Sequence, residues 1–181
     1  MAILKGDNVS LVRFESQHLT QRYVGWLNDP VVTKYSEQRH RVHSLESCQS
    51  YFKSFPRNIG EFGSELADEF LAIVSHNPDL DHIGNISTSV DRENSVADLS
   101  ILIGDRRAWG KGFGLAAWSL LMDHLLETLG MRKVTAGTMS VNIPMLKIME
   151  KSGMTSDGRR KNQFLINNKT VDLVYAAKFR K

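Results

Sequence analysis

Three closely spaced glycines in the middle of the chain are the residues best suited to bind a phosphate. Gly110, Gly112 and Gly114 lie in the segment SILIGDRRAWGKGFGL (residues 100–115), between a predicted strand and a predicted helix. Glycines let the backbone approach a ligand closely, and the first turn of a helix leaves amide N–H groups unpaired. Because these amides lie at the positive end of the helix dipole, the pattern favours a pyrophosphate. The alternative is a loop whose glycines serve only close packing. Three cationic side chains accompany the glycines: Arg106, Arg107 and Lys111.

Two well-known phosphate-binding motifs do not match this segment. The P-loop requires a serine or threonine after its lysine, but Gly112 follows Lys111. The dinucleotide-binding fold requires an acidic residue at the end of the next strand, and the next predicted strand, residues 133–140, contains no acid. Neither motif therefore accounts for the turn.

The hydrophobic pattern predicts the elements that position the turn. A strand over residues 96–104 becomes continuously apolar at its end, as a buried central strand does. A helix over residues 113–129 follows the turn and ends at Gly130, and a strand at 133–140 and a short helix at 144–151 come next. The remaining predicted elements are a strand at 9–14, helices at 18–28 and 44–55, strands at 69–75 and 83–90, and a closing hairpin of strands at 163–166 and 170–177.

This order of elements predicts an α+β fold with one parallel crossover. Antiparallel-looking strands follow the early helices, and a strand–helix–strand–helix unit follows them. A chain of 181 residues suits one domain, residues 1–181, with a central mixed, mostly antiparallel sheet of about seven strands flanked by helices.

Composition narrows the class of protein further. Hydrophobic residues make up 41% and charged residues 24% of the chain, as in ordinary globular proteins. No run approaches the roughly 18 apolar residues that span a bilayer, and the first residues lack the pattern of a secretory signal. A single cysteine, Cys48, excludes an intrachain disulfide and favours the cytoplasm.

The net charge of +3 hides an asymmetry between the two halves of the chain. Residues 1–100 contain 9 Lys and Arg against 14 Asp and Glu, a balance of −5, whereas residues 101–181 contain 14 against 6, a balance of +8. One interpretation is that solvated charges segregate by chance. The other is that the C-terminal half binds an anion and the N-terminal half a cation.

The glycine turn resembles the signature of the GNAT superfamily of acetyl-CoA-dependent N-acetyltransferases, Gln/Arg-x-x-Gly-x-Gly/Ala. Here it reads Arg107-Ala108-Trp109-Gly110-Lys111-Gly112. Downstream, VTAGTMSVNIPMLKIMEKSGM is similar to the asparagine and Glu-Lys-x-Gly element of the family. Upstream, WLNDP (residues 26–30) and ADLSILIGD (97–105) resemble the branch that acetylates ribosomal-protein N-termini and amino sugars.

The resemblance implies how acetyl-CoA binds as co-substrate. The pyrophosphate would lie on backbone amides of residues 108–115, and the pantetheine arm would thread between two parallel strands that splay apart. Asn142 would contact the arm, or cap the helix that follows it, or do both. The residues implied in binding are Leu102, Ile103, Arg107, Ala108, Trp109, Gly110, Lys111, Gly112, Phe113, Gly114, Leu115 and Asn142.

Attack of an amine on a thioester needs a base, donors for the oxyanion and a route for the departing thiolate. The resemblance implies a carboxylate on the strand before the turn, where Asp98 is the only acid. Backbone amides near Ile103 are the expected oxyanion donors. Rival acids lie in the N-terminal half: Glu61, Glu65, Asp68 and Glu69.

The general acid departs from the family pattern. Met149 occupies the position where many members carry tyrosine, and Met145 the position of a serine common in the ribosomal-protein branch. The remaining proton donors are Ser140, Tyr175 and bulk water. Of these, we predict Ser140 as the second catalytic residue beside Asp98. A thiol pKa of about 8.5 also lets the thiolate leave unprotonated.

Other polar residues predict no metal site. His40 and His43 lack the matched carboxylates or cysteines of a metal centre. They indicate a surface loop, with the lining of an acceptor entrance as the alternative. Cys48 is expected in the core, and the basic run 159–161 in a solvated loop.

The sequence thus predicts direct acetyl transfer from acetyl-CoA to a primary amine in a ternary complex. A small amine such as an amino sugar is the first acceptor, and a protein N-terminus of the ribosomal-protein-alanine type is the second. A noncatalytic acyl-CoA-binding regulatory module is the rival from another class. We expect no nucleic-acid or membrane partner and leave a homodimer open.

Overall fold

A computed structural model describes residues 4–54 and 68–181, which form a mixed eight-stranded sheet flanked by helices. The strands are β1 (Leu4–Lys5), β2 (Val9–Arg13), β3 (Glu69–Ser75), β4 (His82–Asp91), β5 (Val96–Ile103), β6 (Lys133–Met139), β7 (Thr155–Ile166) and β8 (Lys169–Phe179). Their order in the sheet is β1-β2-β3-β4-β5-β6-β8-β7. Of the pairs described, only β5 and β6 run parallel.

Four α-helices pack on this sheet, and none in the described residues is long and apolar enough to cross a membrane. They are α1 (Gln21–Asn28), α2 (Leu45–Ser54), α3 (Phe113–Asp123) and α4 (Ile143–Lys151). A π-helical turn, His124–Thr128, extends α3 towards Gly130, whose φ of 69° suits the end of a helix. Short 3₁₀ turns cover Ser16–His18, Glu37–His40 and Arg106–Ala108.

The two faces of the sheet carry separate cores because side chains alternate along each strand. Ala97 and Leu99 of β5 lie in the larger core with Trp118 of α3 and Met149 of α4, and we call this side the α3 face. Leu102 packs against a second core formed by α1, α2 and their neighbours, which we call the α1 face. Asp98 and Ser100 alternate with Ala97 and Leu99 and therefore lie on the α1 face.

The parallel strands part soon after they meet. β5 and β6 pair at Val96–Lys133, Ala97–Val134 and Asp98–Thr135, and no further pair follows in the described ladder. β5 nevertheless stays paired with β4 as far as Ile103, while β6 stays paired with β8 as far as Met139. A V-shaped gap therefore separates residues 99–103 from residues 136–139. We call this gap the opening and the Asp98–Thr135 pair its apex.

Most predicted elements are confirmed, and the differences have local causes. The splayed parallel pair is present, and the eighth strand is the two-residue β1, too short to show a period. α1 begins at Gln21 because Thr20 has extended backbone angles, with its hydroxyl accepting a bond from the Tyr23 amide at 3.2 Å. α2 starts as expected, since the Ser44 hydroxyl accepts a bond from the Ser47 amide at 3.1 Å. The predicted helix end at Phe55 lies outside the described residues.

The basic run 159–161 is a correction, because it lies inside β7 and not in a loop. Residues 155–163 of this edge strand are exposed, so they show no alternation of polar and apolar side chains. Asp172 of β8 pairs with Arg159 across the hairpin and accepts a bond from the Asn162 amide at 2.7 Å. Pairing with β8, rather than burial, makes this segment a strand.

Candidate active site

The glycine turn forms an open cradle at the start of α3. Gly110 has φ of 73° and Gly112, which directly precedes the helix, has φ of 83°. Glycine adopts this left-handed region without steric cost. A Cβ atom on either residue would meet no described atom within 4 Å, so the space beside the backbone is open to a ligand. The amides of residues 113–115 have no acceptor within the helix.

The arginines of the turn are held by carboxylates instead of facing the cradle as free charges. Arg107 donates from Nη2 to Asp105 at 2.6 Å and from Nε at 3.0 Å, and this pairing lowers the pKa of the buried Asp105 carboxyl. Arg106 lies 3.7 Å from the Asp29 carboxylate at the end of α1. Lys111 is exposed, and no carboxylate in the described chain pairs with it.

Side chains of the turn also fix the upper end of β5. The indole N–H of Trp109 donates to the carbonyl oxygen of Ile103 at 2.9 Å. A Cβ atom on Gly114 would touch Ile103 and Ile148, each at 3.4 Å, so the glycine lets α3 and α4 pack closely on the strand. The turn is therefore tied to the residues at the mouth of the opening.

Asp98 lies at the apex of the opening. Thr135, directly opposite on β6, donates its hydroxyl to the Asp98 carboxylate at 2.7 Å. Loss of hydration beside the sheet raises the pKa of Asp98, although the Thr135 hydrogen bond acts in the opposite direction. Gly104, which follows β5 and precedes the glycine turn, lies six positions beyond Asp98, about 20 Å along an extended strand.

A cavity of about 470 Å³ lies on the α1 face beside the opening. Among the residues that the structure describes, five aromatic side chains line it: Phe14, Tyr23, Tyr51, Phe52 and Phe70. Asn85, Ser87 and Ser100 contribute polar groups from β4 and β5. We call this space the aromatic cavity. It includes Ser100, two residues beyond Asp98 on the same face of β5, so it ends next to the apex.

Within residues 4–54 and 68–181, the acids of the N-terminal half do not surround the aromatic cavity as the charge asymmetry led us to expect. Of the described residues that line it, none is Asp or Glu, and Arg41 carries a positive charge. Glu69 shares the α3 face with Leu71 and Ile73, away from the cavity. Asp68 accepts a bond from the Val90 amide at 2.7 Å, a structural role. The rival bases Glu61 and Glu65 lie outside the described residues.

The structure does not bring Ser140 to Asp98. Ser140 follows β6 and lies five residues beyond Thr135, roughly 16 Å along the strand, at the mouth of the opening. Ile103 likewise lies at the mouth, at the end of β5. Tyr175 of β8 is nearer the apex, since a Cβ on Gly137 would lie 3.1 Å from its ring.

The methionines at the two family positions for an acid are packing residues. Met149 is 3% exposed in the larger core, and Met145 packs against that core. Asn142 caps α4, with its side-chain oxygen accepting from the Met145 amide at 3.4 Å and its amide group donating to Thr138 at 3.0 Å. The expected capping role of Asn142 is therefore present.

Cysteine and histidine residues near the cavity do not form a nucleophilic or metal centre. Burial raises the pKa of the Cys48 thiol, which keeps it protonated and weakly nucleophilic. His43 lines the cavity, whereas His40 does not. No cluster of three or more metal-ligating side chains occurs in the described residues.

Sequence reasoning missed two residues at this site. Thr135 lies within the predicted strand 133–140, but only the register of the parallel pair reveals that it faces Asp98. Arg41 lies in an irregular segment of the chain, where no periodicity indicates which side chains turn towards the sheet.

Solved structures share this fold at low sequence identity. An acetyltransferase of the GNAT family from Bacillus anthracis has a TM-score of 0.78 at 17% identity, covering 98% of each chain. RimL, a ribosomal L7/L12 alpha-N-protein acetyltransferase solved with coenzyme A, has a TM-score of 0.82 at 16% identity, covering 99% of this chain and 98% of its own. Spermidine N-acetyltransferase from Vibrio cholerae, solved with CoA and spermine, has a TM-score of 0.77 at 16% identity, covering 95% of each chain. No curated protein sequence matches the chain significantly.

A sheet that parts between parallel strands beside a glycine turn defines the class of CoA-dependent N-acetyltransferases, as the resemblance implied. Residues 8–155 match the family described as the acetyltransferase (GNAT) domain. The chain belongs to the GNAT acetyltransferase family, and the predicted enzyme class, an acetyl-CoA-dependent N-acetyltransferase, is confirmed.

Proposed function

We propose that the chain transfers the acetyl group of acetyl-CoA directly to a primary amine in the aromatic cavity, within a ternary complex. The opening between β5 and β6 carries this proposal. The end of β5, which leads into the glycine turn, lies at the mouth and Asp98 at the apex, about 20 Å apart along the strand. This length suits an extended pantetheine arm. Burial raises the pKa of the Cys48 thiol, which makes it a poorer nucleophile and argues against a covalent acetyl-cysteine step.

Asp98 is the base in this proposal. Acetyl-CoA supplies an acetyl group activated as a thioester, and the residues of the opening supply the base and the oxyanion donors. The raised pKa of Asp98 brings its basicity closer to neutral pH, which suits removal of a proton from the amine. Alternate amides of β5 bond to β4, and those between them face the opening; the ones within residues 99–101 are nearer the apex than Ile103 and supply the oxyanion donors.

We assign protonation of the leaving thiolate to solvent, with Tyr175 as the side-chain alternative. The family positions carry buried or packed methionines, and Ser140 lies at the wrong end of the opening for a proton donor at the apex. A thiol pKa of about 8.5 makes departure without a side-chain acid feasible.

The acceptor in this proposal is a small amine. RimL is described as acting on ribosomal L7/L12, and the Vibrio cholerae enzyme as acting on spermidine, so proteins of this fold serve both kinds of acceptor. The branch resemblance alone favours an amino sugar first and a protein N-terminus second, and the lining of the aromatic cavity is what can decide between small amines.

Asp98→Asn tests the chemistry. Acetyl-CoA should raise the melting temperature of the wild type and of this variant equally, because ligands that bind the folded state stabilise it and Asp98 lies far from the glycine turn. Turnover should fall about 100-fold or more. Asp157 of β7 is an exposed carboxylate that pairs with Lys133 of β6, so Asp157→Asn is the matched control and should keep full activity. Full turnover in Asp98→Asn would remove Asp98 as the base.

A noncatalytic acyl-CoA-binding module is the second candidate, favoured by Met149 at the position of the usual acid. It predicts stabilisation by acetyl-CoA but no release of free thiol with any amine. Thiol release with one amine would exclude it.

A further inference from the structure

We propose that the acceptor amine carries an aromatic or other apolar body together with a carboxylate, and that Arg41 binds this carboxylate. The inference rests on the proposed function, since it concerns the acceptor of that reaction. Its basis is the lining of the aromatic cavity, which among the described residues combines five aromatic side chains with Arg41.

The walls of the cavity select an apolar body. Phe14 contacts the rings of Tyr23, Phe52 and Phe70, with centroid distances of 5.1, 5.9 and 4.6 Å. Such packed rings form a rigid apolar surface that a flat hydrocarbon group can share. A volume of about 470 Å³ accommodates a molecule the size of an aromatic amino acid. A sugar would bring many hydroxyl groups against these rings without partners.

Arg41 is positioned by its backbone. The Arg41 amide donates to the Gln38 carbonyl at 3.0 Å. Two residues later, the side chain of Asn28 in α1 holds both the amide and the carbonyl of His43 at 2.8 Å. The segment that carries Arg41 is therefore fixed on both sides, and no described carboxylate pairs with its guanidinium.

Charge in the described lining opposes a polycation. Arg41 would repel the second ammonium of a polyamine, and no described Asp or Glu lines the cavity to attract it. An anionic group instead gains a charge-assisted hydrogen bond from the guanidinium.

An unpartnered atom indicates where an N–H or O–H of the acceptor binds. The side-chain oxygen of Asn85, on the β4 edge of the cavity, is buried and accepts no hydrogen bond within the described structure. A buried acceptor without a partner is costly, so a ligand donor at this position is favoured. The amine that Asp98 deprotonates is attached to a body reaching from Asn85 towards Ser100.

Matched amines that differ only in the carboxylate test the proposal. We would measure kcat/KM for L-phenylalanine against 2-phenylethylamine and for L-tryptophan against tryptamine, in the wild type and in Arg41→Gln. In each pair, we take the ratio of kcat/KM for the amino acid to kcat/KM for the amine that lacks the carboxylate. Loss of Arg41 should lower this ratio about tenfold or more. Because each amine has the same basicity with both proteins, the change in the ratio isolates the carboxylate contact.

Arg41→Lys should retain part of the ratio, and Lys34→Gln, an exposed cation outside the cavity, should retain all of it. An unchanged ratio in Arg41→Gln would overturn the proposal. So would faster transfer to spermidine or glucosamine than to either amino acid.

Calorimetric titration of the same amines into the protein with CoA distinguishes failure of the proposed acetyl transfer from failure of the proposed acceptor class. Arg41-dependent binding without any acetyl transfer would contradict the proposed function while supporting the acceptor class. Transfer to other amines, with no binding of either amino acid, would support the proposed function and contradict the acceptor class.

Discussion

At the apex of the opening, the Thr135 hydroxyl donates a hydrogen bond of 2.7 Å to the Asp98 carboxylate and so stabilises its ionised form. Thr135→Val should therefore raise the pKa of Asp98 further, because it removes the one contribution that lowers it. The acidic limb of kcat/KM against pH should move to higher pH, since activity is lost as Asp98 becomes protonated. A pH–rate profile measures this shift.

Thr135→Ser keeps the hydroxyl and is the control. Its acidic limb should coincide with that of the wild type, and acetyl-CoA should stabilise both variants normally. If Thr135→Val leaves the limb in place, a group other than Asp98 titrates there.

The sequence reveals some of these residues and hides others for physical reasons. Asp98 is predictable because it is the only acid on the strand before the glycine turn. The pairing of Arg107 with Asp105 is not, because it depends on the 3₁₀ turn that follows β5. The distance of Ser140 from the apex is hidden as well, since only the strand register shows where β5 and β6 part.

Gly112 links the conformation of the turn to ligand binding at the level of the element. Gly112→Ala should cost about 1 kcal/mol of stability, because alanine disfavours a φ of 83°. The new methyl group would also enter the open space beside the first amides of α3. We expect a marked loss of the melting-temperature rise on addition of acetyl-CoA, measured by scanning calorimetry.

Gly25→Ala is the matched control for this change. Gly25 lies inside α1, where a Cβ atom meets no described atom within 4 Å. Alanine should raise stability there by about 0.5–1 kcal/mol and leave the effect of acetyl-CoA unchanged. A full acetyl-CoA effect in Gly112→Ala would contradict the cradle.

Elements with a clear hydrophobic period and a capping residue could be predicted closely. α4 has both, with Asn142 before it and Gly153, at φ of 80°, after it. β7 has neither, because most of its residues are exposed and its pairing with β8 decides its extent. The π-helical turn after α3 also leaves no mark on the apolar spacing of that helix.

At the scale of the whole molecule, the charged side chains of the described residues are not divided between two binding sites as the charge balance of the two halves suggests. Arg106 binds Asp29 of the acidic half, and Arg107 binds Asp105 of its own half. The described cavity lining contains the cation Arg41 instead of acids. A charge balance cannot foresee this, because folding pairs some charges and directs others to the opposite face of a strand.

The stability of the whole molecule should depend on pH through His82. Burial, together with nearby His18, lowers the pKa of His82 from 6.5 to about 4. The unfolded chain therefore binds a proton between these values that the folded protein does not. This residue should have no effect above pH 6.5 and should cost up to about 3 kcal/mol of the free energy of unfolding as the pH falls to 4.

Urea denaturation at a series of pH values measures this contribution. His82→Phe keeps a ring beside Phe14 and Trp26, although it loses the 2.9 Å bond to the Gly84 carbonyl. Its stability should therefore be lower at pH 7 but should fall less steeply between pH 6.5 and 4. His40→Phe, at an exposed position, should retain the wild-type slope. Equal slopes in all three proteins would show that another buried group, such as His18, takes up the proton.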